Sequence, residues 1–418
     1  MMKAHIISIG DELLIGQTVN TNASFIGLIL SDLGIIVSKQ SSIPDTEEDI
    51  ISELHLTLAK NDIVITTGGL GPTHDDVTRS AIIRFFKTEL TLSNEVLERI
   101  RERFRMLNRS MSKVNESQAL IPKNATIIPN NAGTAPGYWI EDGEKIVIAL
   151  PGVPFEMENM VQDYVAPKLV EILHEEKIIK RTTLMTTGIA ESTLFERLGD
   201  MEALLGDAKL AFLPDPYGVK LRITVIGDTV DEVNNKLLEI EQKIRGVAGR
   251  HIYGKDNEQL PEVVGRLLKE RGLSLSVAES CTGGFISHLI TNYAGCSNFF
   301  ERGLVTYSNA AKVELLKVDE DKLSKNGAVS LEVARQMAEG IKAISGTDIG
   351  LSVTGIMGPG GGSEEKPVGT VFIGLCDNNV CTAQRFKFAN DRVINKKRTA
   401  QAALDFLRRH ILGISYDA

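Results

Sequence analysis

The chain has 418 residues, 43% hydrophobic and 24% charged, with a formal net charge of −9. This is the composition of a soluble protein of two or three domains, and it excludes a disordered or low-complexity chain. No apolar run reaches the roughly 18–20 residues of a membrane helix. Residues 258–418 hold 19 basic and 18 acidic side chains, so the acidic excess lies ahead of them and argues against bulk nucleic-acid binding.

The N-terminus, MMKAHIISIGDELLIG, reads as a first strand and not a signal peptide, so a cytoplasmic location is expected. Residues 21–34 then read as an amphipathic helix, and I-I-V-S-K-Q-S-S-I as a second strand. Thr46 is placed to cap a helix with acidic residues in its first turn. D-I-V-I-T-T-G-G reads as a third strand entering a glycine loop. This βαβαβ order predicts an α/β fold with a doubly wound parallel sheet. Helices are expected at 91–107 and about 112–120, then a hairpin turning at Asp142-Gly143, then a helix at 154–173. Residues 1–172 form the first expected domain.

Residues 176–252 follow a β-α-β-β-α order, a small α+β module with a hairpin at P-D-P-Y-G. Y-G-K-D-N-E-Q reads as a linker. The third expected domain, 258–418, is again α/β and ends in a helix at about 391–411. The four cysteines, Cys281, Cys296, Cys376 and Cys381, all lie in this last third. Cys376 and Cys381 flank Asp-Asn-Asn and read as opposite arms of a hairpin. With no companion His or Cys pair, their spacing argues against zinc.

Two stretches carry candidate chemistry. The first is Thr66–Thr78, TTGGLGPTHDDVT. Gly68, Gly69 and Gly71 end a buried strand, and a helix is expected from near Asp75. Glycines let backbone N–H groups approach a phosphate, and a helix N-terminus favours the anion. Such a loop is equally a tight strand-to-helix turn. Asp45 follows another strand, and Gly10, Asp11 and Glu12 follow the first. Carboxylates beside a phosphate cradle point to a hard divalent cation, although Asp11 and Asp45 also suit helix capping.

S-I-G-D-E-L, S-I-P-D, T-G-G-L-G-P-T-x-D-D-V-T and L-P-G-V-P resemble the molybdopterin-binding domain of molybdopterin adenylyltransferases. They resemble most the version in the competence/damage-inducible protein A (CinA) family, over residues 3–170. The resemblance implies a phosphate on the glycine loop, with Asp45 and Asp76 serving the chemistry or a metal (Mg, Mn or Co). It also implies metal-dependent hydrolysis of ADP-ribose to AMP and ribose 5-phosphate. The middle module resembles the CinA KH-type domain. A nucleic-acid-binding KH domain needs G-x-x-G between two helices. The nearby match, Gly246 to Gly249, follows the second helix, so a spacer or dimer contact is expected.

The second stretch is Ala278–Gly284, AESCTGG, between a strand and a helix. Ser280 and Cys281 are both candidate nucleophiles, and Ser280 or Thr282 also suits an N-cap. Free N–H groups at such a junction suit an oxyanion. Lys312 falls at the start of a later helix capped by Ser308 or Asn309, where the dipole disfavours a proton. A lysine so weakened is a base for a serine hydroxyl, and the thiol has no evident base. The glycine-rich loop Gly355–Gly362 suits a phosphate. Arg392, Lys396 and Arg398 on the last helix are candidate cations for it, or else a solvated face. No Ser-His-Asp triad is visible.

A-E-S-C-T-G-G, Y-S-N-x-x-K, G-A-V-S and S-x-T-G-I-x-G-P-x-G-G-S-E-E-K-P-V-G-T-V resemble the C-terminal CinA domain, which occurs alone as nicotinamide mononucleotide (NMN) deamidase. The match spans about 258–415. It implies a Ser/Lys amidohydrolase with Ser280 as nucleophile and Lys312 as base, needing no cofactor. Thr282, Gly283, Gly284, Tyr307, Gly355, Gly358, Gly360 and Arg392 are the expected oxyanion or substrate contacts. The resulting expectation is a homodimeric pyridine-nucleotide salvage hydrolase. The alternative is a non-catalytic nucleotide- or molybdopterin-binding protein linked to competence or DNA damage.

Overall fold

The computed structural model describes residues 2–71, 73, 76–173, 178–388 and 391–415. Asp75 lies outside them. The chain divides into two compact units, residues 1–179 with 226–230, and residues 180–225 with 231–418.

The first unit is built on β1 (Lys3–Ile9), β2 (Ile36–Ile43) and β3 (Ile63–Thr67). Short β4 (Leu90–Leu92) and β5 (Leu120–Pro122) pair apart from the main sheet. β6 (Thr126–Ile128), β7 (Gly137–Asp142) and β8 (Lys145–Leu150) complete it. The sheet order is β2-β1-β3-β8-β7-β6. The first four strands are parallel, while β7 and β6 are antiparallel additions. Alternating residues explain the two layers. Ala4, Ile6, Ile63, Ile65, Ile146 and Ile148 enter one core with the helix Thr21–Asp32. Ile7, Ile9, Val64, Val147 and Ala149 enter the other with the helices Glu47–Leu58 and Thr78–Phe86. Burial on both faces is what a doubly wound sheet requires. Thr46 caps its helix through Asp49 N–H as expected.

Two local expectations change. The stretch expected to start a helix at 91 opens with β4, and the helix runs Asn94–Met106 from an N-cap at Ser93. Leu90–Leu92 pairs with β5, a remote partner that overrides local helical preference. The helix expected at about 112–120 is one turn, Lys113–Glu116, continued by a tighter turn to Ala119.

The second unit opens with β9 (Ile178–Thr186), β10 (Lys209–Asp215), β11 (Gly218–Gly227) and β12 (Ile252–Lys255) in the order β10-β11-β9-β12. β12 overlaps the expected linker. Its buried Ile252 and Gly254 pair with β9, so the start of that polar stretch is a strand. Gly246 lies in the last turn of the helix Val230–Ala248 and Gly249 just beyond it, so this pair forms no loop between helices.

A five-stranded sheet follows, from β13 (Leu275–Glu279), β14 (Phe300–Val305), β15 (Ile349–Gly355), β16 (Thr370–Cys376) and β17 (Cys381–Lys387), in the order β14-β13-β15-β16-β17. The first three strands are parallel and the last two antiparallel. Cys376 and Cys381 face each other across β16 and β17 and form a disulfide. The helices Leu260–Arg271, Phe285–Thr291 and Arg392–Leu412 cover one face. The helix Leu331–Ser345 covers the other, so close that a Cβ at Gly350 or Gly374 would overlap the carbonyls of Ala338 and Ala334. Among the described residues no helix is long and apolar enough to cross a membrane.

Candidate functional site

Ser280 follows the last residue of β13, and its own N–H bonds Val353 O on the neighbouring β15 at 3.0 Å. Glu279 is fully buried and turns to the next helix, accepting from the N–H of Ile286 at 3.1 Å and of Ser287 at 2.8 Å, and from the Ser287 hydroxyl. The carboxylate thereby satisfies two orphan donors of that short helix, and the turn between is held at both ends.

Lys312 is the fourth residue of the helix Asn309–Leu316, whose N-cap is Ser308. Its side chain is 1% exposed, and Ser280 is 8% exposed. Lys312 Nζ lies 3.1 Å from Ser280 Oγ, 2.8 Å from Thr306 O and 3.1 Å from Tyr307 O. Burial pulls the Lys312 amine below the ordinary lysine range. Desolvation thus acts in the same direction as the helix dipole anticipated from sequence. A neutral amine has two hydrogens and one lone pair. In the neutral form the two carbonyls would take the hydrogens and leave the lone pair toward the Ser280 hydroxyl, whereas a protonated amine would donate to all three oxygens.

Cys281 packs into the core beside them, and burial pushes its thiol up to about 12. A protonated buried thiol is inert. Cys281→Ala is therefore expected to leave turnover within about a factor of three, because the thiolate and not the thiol is the nucleophile; steady-state rates of purified protein check this.

Around the dyad, Gly283 and Gly284 take positive φ (61° and 90°), the conformation that brings their backbone round into the turn. Gly283 N–H bonds Ser280 O at 3.2 Å and is not free for an oxyanion, contrary to expectation. Among the described residues the Thr282 and Gly284 amides have no backbone carbonyl partner. The buried Thr282 hydroxyl likewise lacks a partner. Arg392 donates to Gly358 O at 2.8 Å and to the Tyr307 hydroxyl at 3.2 Å, tying the glycine-rich loop to the segment that holds Lys312. Gly355 ends β15 and packs on Val371, so its role is close packing. Gly360 is exposed with open space around it, and nothing joins it to the dyad.

The three basic side chains of the last helix separate. Arg392 meets the loop, and Lys396 Nζ would lie 3.7 Å from a Cβ on Gly283. Arg398 instead faces a different cleft. Sequence reasoning missed Asn395, fully buried, whose amide donates to Met357 O at 3.1 Å and holds the loop from beneath. An Asn amid helix-face cations was the available signal.

In the first unit, Gly10, Asp45, Gly68, Gly69, Gly71 and Asp76 line one cavity of about 430 Å³. A Cβ at Gly68, at φ 117°, would overlap Ile9 O, so the close approach of the loop to β1 demands glycine. Asp11 does not line the cavity. It opens an exposed short helix, and Glu12, the next residue round, reaches in. Asp76 turns one carboxylate oxygen back to the Thr73 N–H at 2.8 Å and to the Thr73 hydroxyl. Gln118 and Glu156 also line the cavity and were not anticipated. Gln118 is 1% exposed with neither amide atom partnered. The carboxylates of Glu12, Asp45, Asp76 and Glu156 are hard oxygen donors of the kind Mg²⁺ takes alongside substrate phosphates. Among the described residues no three such side chains converge to cage an ion by themselves. The donor set thus fits a cation shared with a phosphate, and not a fully protein-bound one.

Three family models match successive parts of the chain. A probable molybdopterin binding domain matches residues 5–171, the KH domain of damage-inducible protein CinA matches 181–254, and the CinA C-terminal domain matches 257–411. A relative from Caldicellulosiruptor saccharolyticus, named for competence-damage induction, is 45% identical over 412 residues, 99% of this chain and 100% of its own. A CinA-like protein from Chloroherpeton thalassium is 42% identical over 416 residues, 97% of this chain and 99% of its own. The crystal structure of competence damage-inducible protein A from Klebsiella pneumoniae is 34% identical, with a TM-score of 0.36, covering 37% of this chain and 95% of that one. With full-length identity above 40% to such relatives and all three domain models matched in order, the chain belongs to the CinA family of competence-damage inducible proteins.

Proposed function

We propose that the C-terminal domain is an amidohydrolase that converts NMN and water to nicotinate mononucleotide and ammonia. One observation carries this reading: the buried Lys312 amine spends two of its positions on Thr306 O and Tyr307 O and turns the third to Ser280 Oγ. A surface lysine or a capping serine needs no such arrangement. Neutral Lys312 takes the Ser280 proton as Oγ attacks the carboxamide carbon. The Thr282 and Gly284 amides face the developing oxyanion. Lys312 returns the proton to the departing nitrogen, and ammonia leaves an acyl-serine. Water, deprotonated by Lys312, then attacks the ester; nicotinate mononucleotide departs as Ser280 regains its proton. Arg392 and Lys396 supply positive charge for the substrate phosphate, and no cofactor enters. Incubation with NMN and measurement of ammonia test the reading directly; no ammonia above background overturns it.

The pH dependence follows from Lys312. Only its neutral form is a base, so kcat/KM rises with pH. Burial lowers its pKa, so the rising limb has its midpoint below the ordinary lysine value of about 10.4. A profile flat from acid to alkaline pH would remove Lys312 as the base.

For the first unit the reading is a nucleotide-phosphate site that hydrolyses ADP-ribose to AMP and ribose 5-phosphate. The Gly68–Gly71 loop cradles a phosphate, and Asp45 and Asp76 would hold a Mg²⁺, Mn²⁺ or Co²⁺ ion that polarises it. Asp45→Asn is expected to lower AMP release by about tenfold or more while the ammonia reaction continues, because a shared cation loses a charged ligand. AMP formation with and without divalent metal is the measurement; no release under any metal leaves the unit as a binding module. A homodimer acting in the cytoplasm completes the proposal.

A further inference from the structure

Within the second unit, a cleft of about 620 Å³ lies between the β9–β11 module and the last sheet, apart from the Ser280 dyad. Its walls come from four places. The turn after β9 gives Thr187–Glu191, the β10–β11 hairpin gives Pro214–Val219, β17 gives Gln384–Lys387, and the last helix gives Arg398 and Gln401. This is the size of a small-ligand site.

Its charge is unbalanced. Arg385, Lys387 and Arg398 face it. Arg385 donates to Glu365 O, but among the described residues Lys387 and Arg398 have no hydrogen-bond or ion-pair partner. Of the two acids in the lining, Asp215 is already engaged by the Tyr217 and Gly218 amides and by Lys220. Arg398 is half-buried, and a guanidinium withdrawn from water without an anion is costly. Beside it Gln401 is 7% exposed, and its amide nitrogen reaches the Tyr253 hydroxyl without forming a well-aligned hydrogen bond. A buried donor so weakly held can take a further acceptor. Tyr217 and Phe386 add aromatic surface to the same walls.

We propose that this cleft is a second ligand site and takes a nucleotide: phosphate oxygens on Arg398 and Lys387, an acceptor on the Gln401 amide, and a base against Tyr217 and Phe386. Planar guanidinium suits phosphate, and aromatic faces suit any base. A half-open cleft of this small volume, in a module without a G-x-x-G loop between helices, favours a mononucleotide over an RNA strand. Arg398 shares its helix with Arg392 and Lys396, so occupancy would lie within about two turns of the candidate active site.

Equilibrium dialysis of the full-length protein with AMP and with UMP is the test. AMP also suits the cavity of the first unit, so the readout is the class of sites sensitive to Arg398→Gln and Gln401→Leu. Each substitution is expected to weaken that class by about tenfold to a hundredfold, the value of a hydrogen bond to a charged group. Ammonia release from NMN and the thermal melt should stay unchanged. Lys387→Gln, on the exposed edge strand, gives a variant whose folding is not in question and should weaken binding in the same direction. Binding of both mononucleotides that is absent in wild type, or identical in all three variants, overturns the proposal. So does binding of single-stranded RNA alone at these residues.

Discussion

Ser280→Ala should lower kcat for ammonia release from NMN by about 10⁴-fold or more, the usual cost of losing a catalytic nucleophile. Lys312→Met should cost about as much, because a serine without its base is a poor nucleophile at neutral pH. The double variant is the sharper test. Groups acting as one unit are not additive, so it should be about as slow as either single variant. The alanine should bind NMN nearly as well as the wild type, since Ser280 acts on the reacting carbon and Arg392 and Lys396 lie toward the phosphate. Lys312→Met also keeps a long apolar stem in a site that is 1% exposed, so packing loss is small. A single variant that retained full turnover would remove the dyad, and multiplicative losses in the double variant would mean that the two residues act separately.

Much of this site is legible in the amino-acid sequence. Two hydroxyls and a thiol at a strand-to-helix junction, with a lysine early in a later helix, are local features. The choice between Ser280 and Cys281 rests on which has a base, and the distances agree with the serine. What the sequence does not carry is why the amine holds its proton less tightly than an ordinary lysine. The dipole is a local property of a helix start, but burial depends on how remote elements, Ser280 after β13 and the helix Leu331–Ser345 among them, pack around the lysine's helix. Arg392, Lys396 and Arg398 show the same limit. They lie on one helix within two turns, and only the neighbours of that helix send Arg398 to a different cleft.

In the first unit the run of buried strands is strong enough to predict the sheet, because both faces are apolar. The departures fall on two short strands, β4 here and β12 in the second unit, whose existence depends on remote partners. Asp11 and Glu12 are adjacent in a helical turn, about 100° apart around its axis, so which one enters the cavity is decided by the entry angle of the chain at Gly10. Gln118 carries no local signal; its importance comes from two buried amide atoms without partners.

Asp405→Ala should destabilise the second unit by about 3–5 kcal/mol, the cost of breaking a buried ion pair from one side. Asp405 is 0% exposed, and Arg408 and Arg409 are 2% and 3% exposed. Arg408 Nε meets Oδ1 at 2.9 Å and Arg409 Nε meets Oδ2 at 2.8 Å, so one carboxylate pairs with two guanidiniums. Burial pushes the Asp405 carboxyl up, and the two guanidiniums oppose it. Arg408 also donates to Arg250 O at 2.7 Å, so the cluster joins the last helix to the end of the middle module. Removing the carboxylate leaves two buried cations facing each other and releases that junction. Urea unfolding should show a lower midpoint, and limited proteolysis should cut near residue 250 earlier than in the wild type. Next to the cluster, His251 has its pKa lowered to about 4 by burial and by Arg409. Its ordinary value is about 6.5, so protonation is disfavoured in the fold. Stability from this group is present above pH ~6.5 and falls as pH drops toward about 4. His251→Gln should flatten that part of the stability profile, whereas Asp405→Ala should lower it wherever the carboxylate is ionised; a His251→Gln profile as steep as the wild type would mean that another group sets the acid limit.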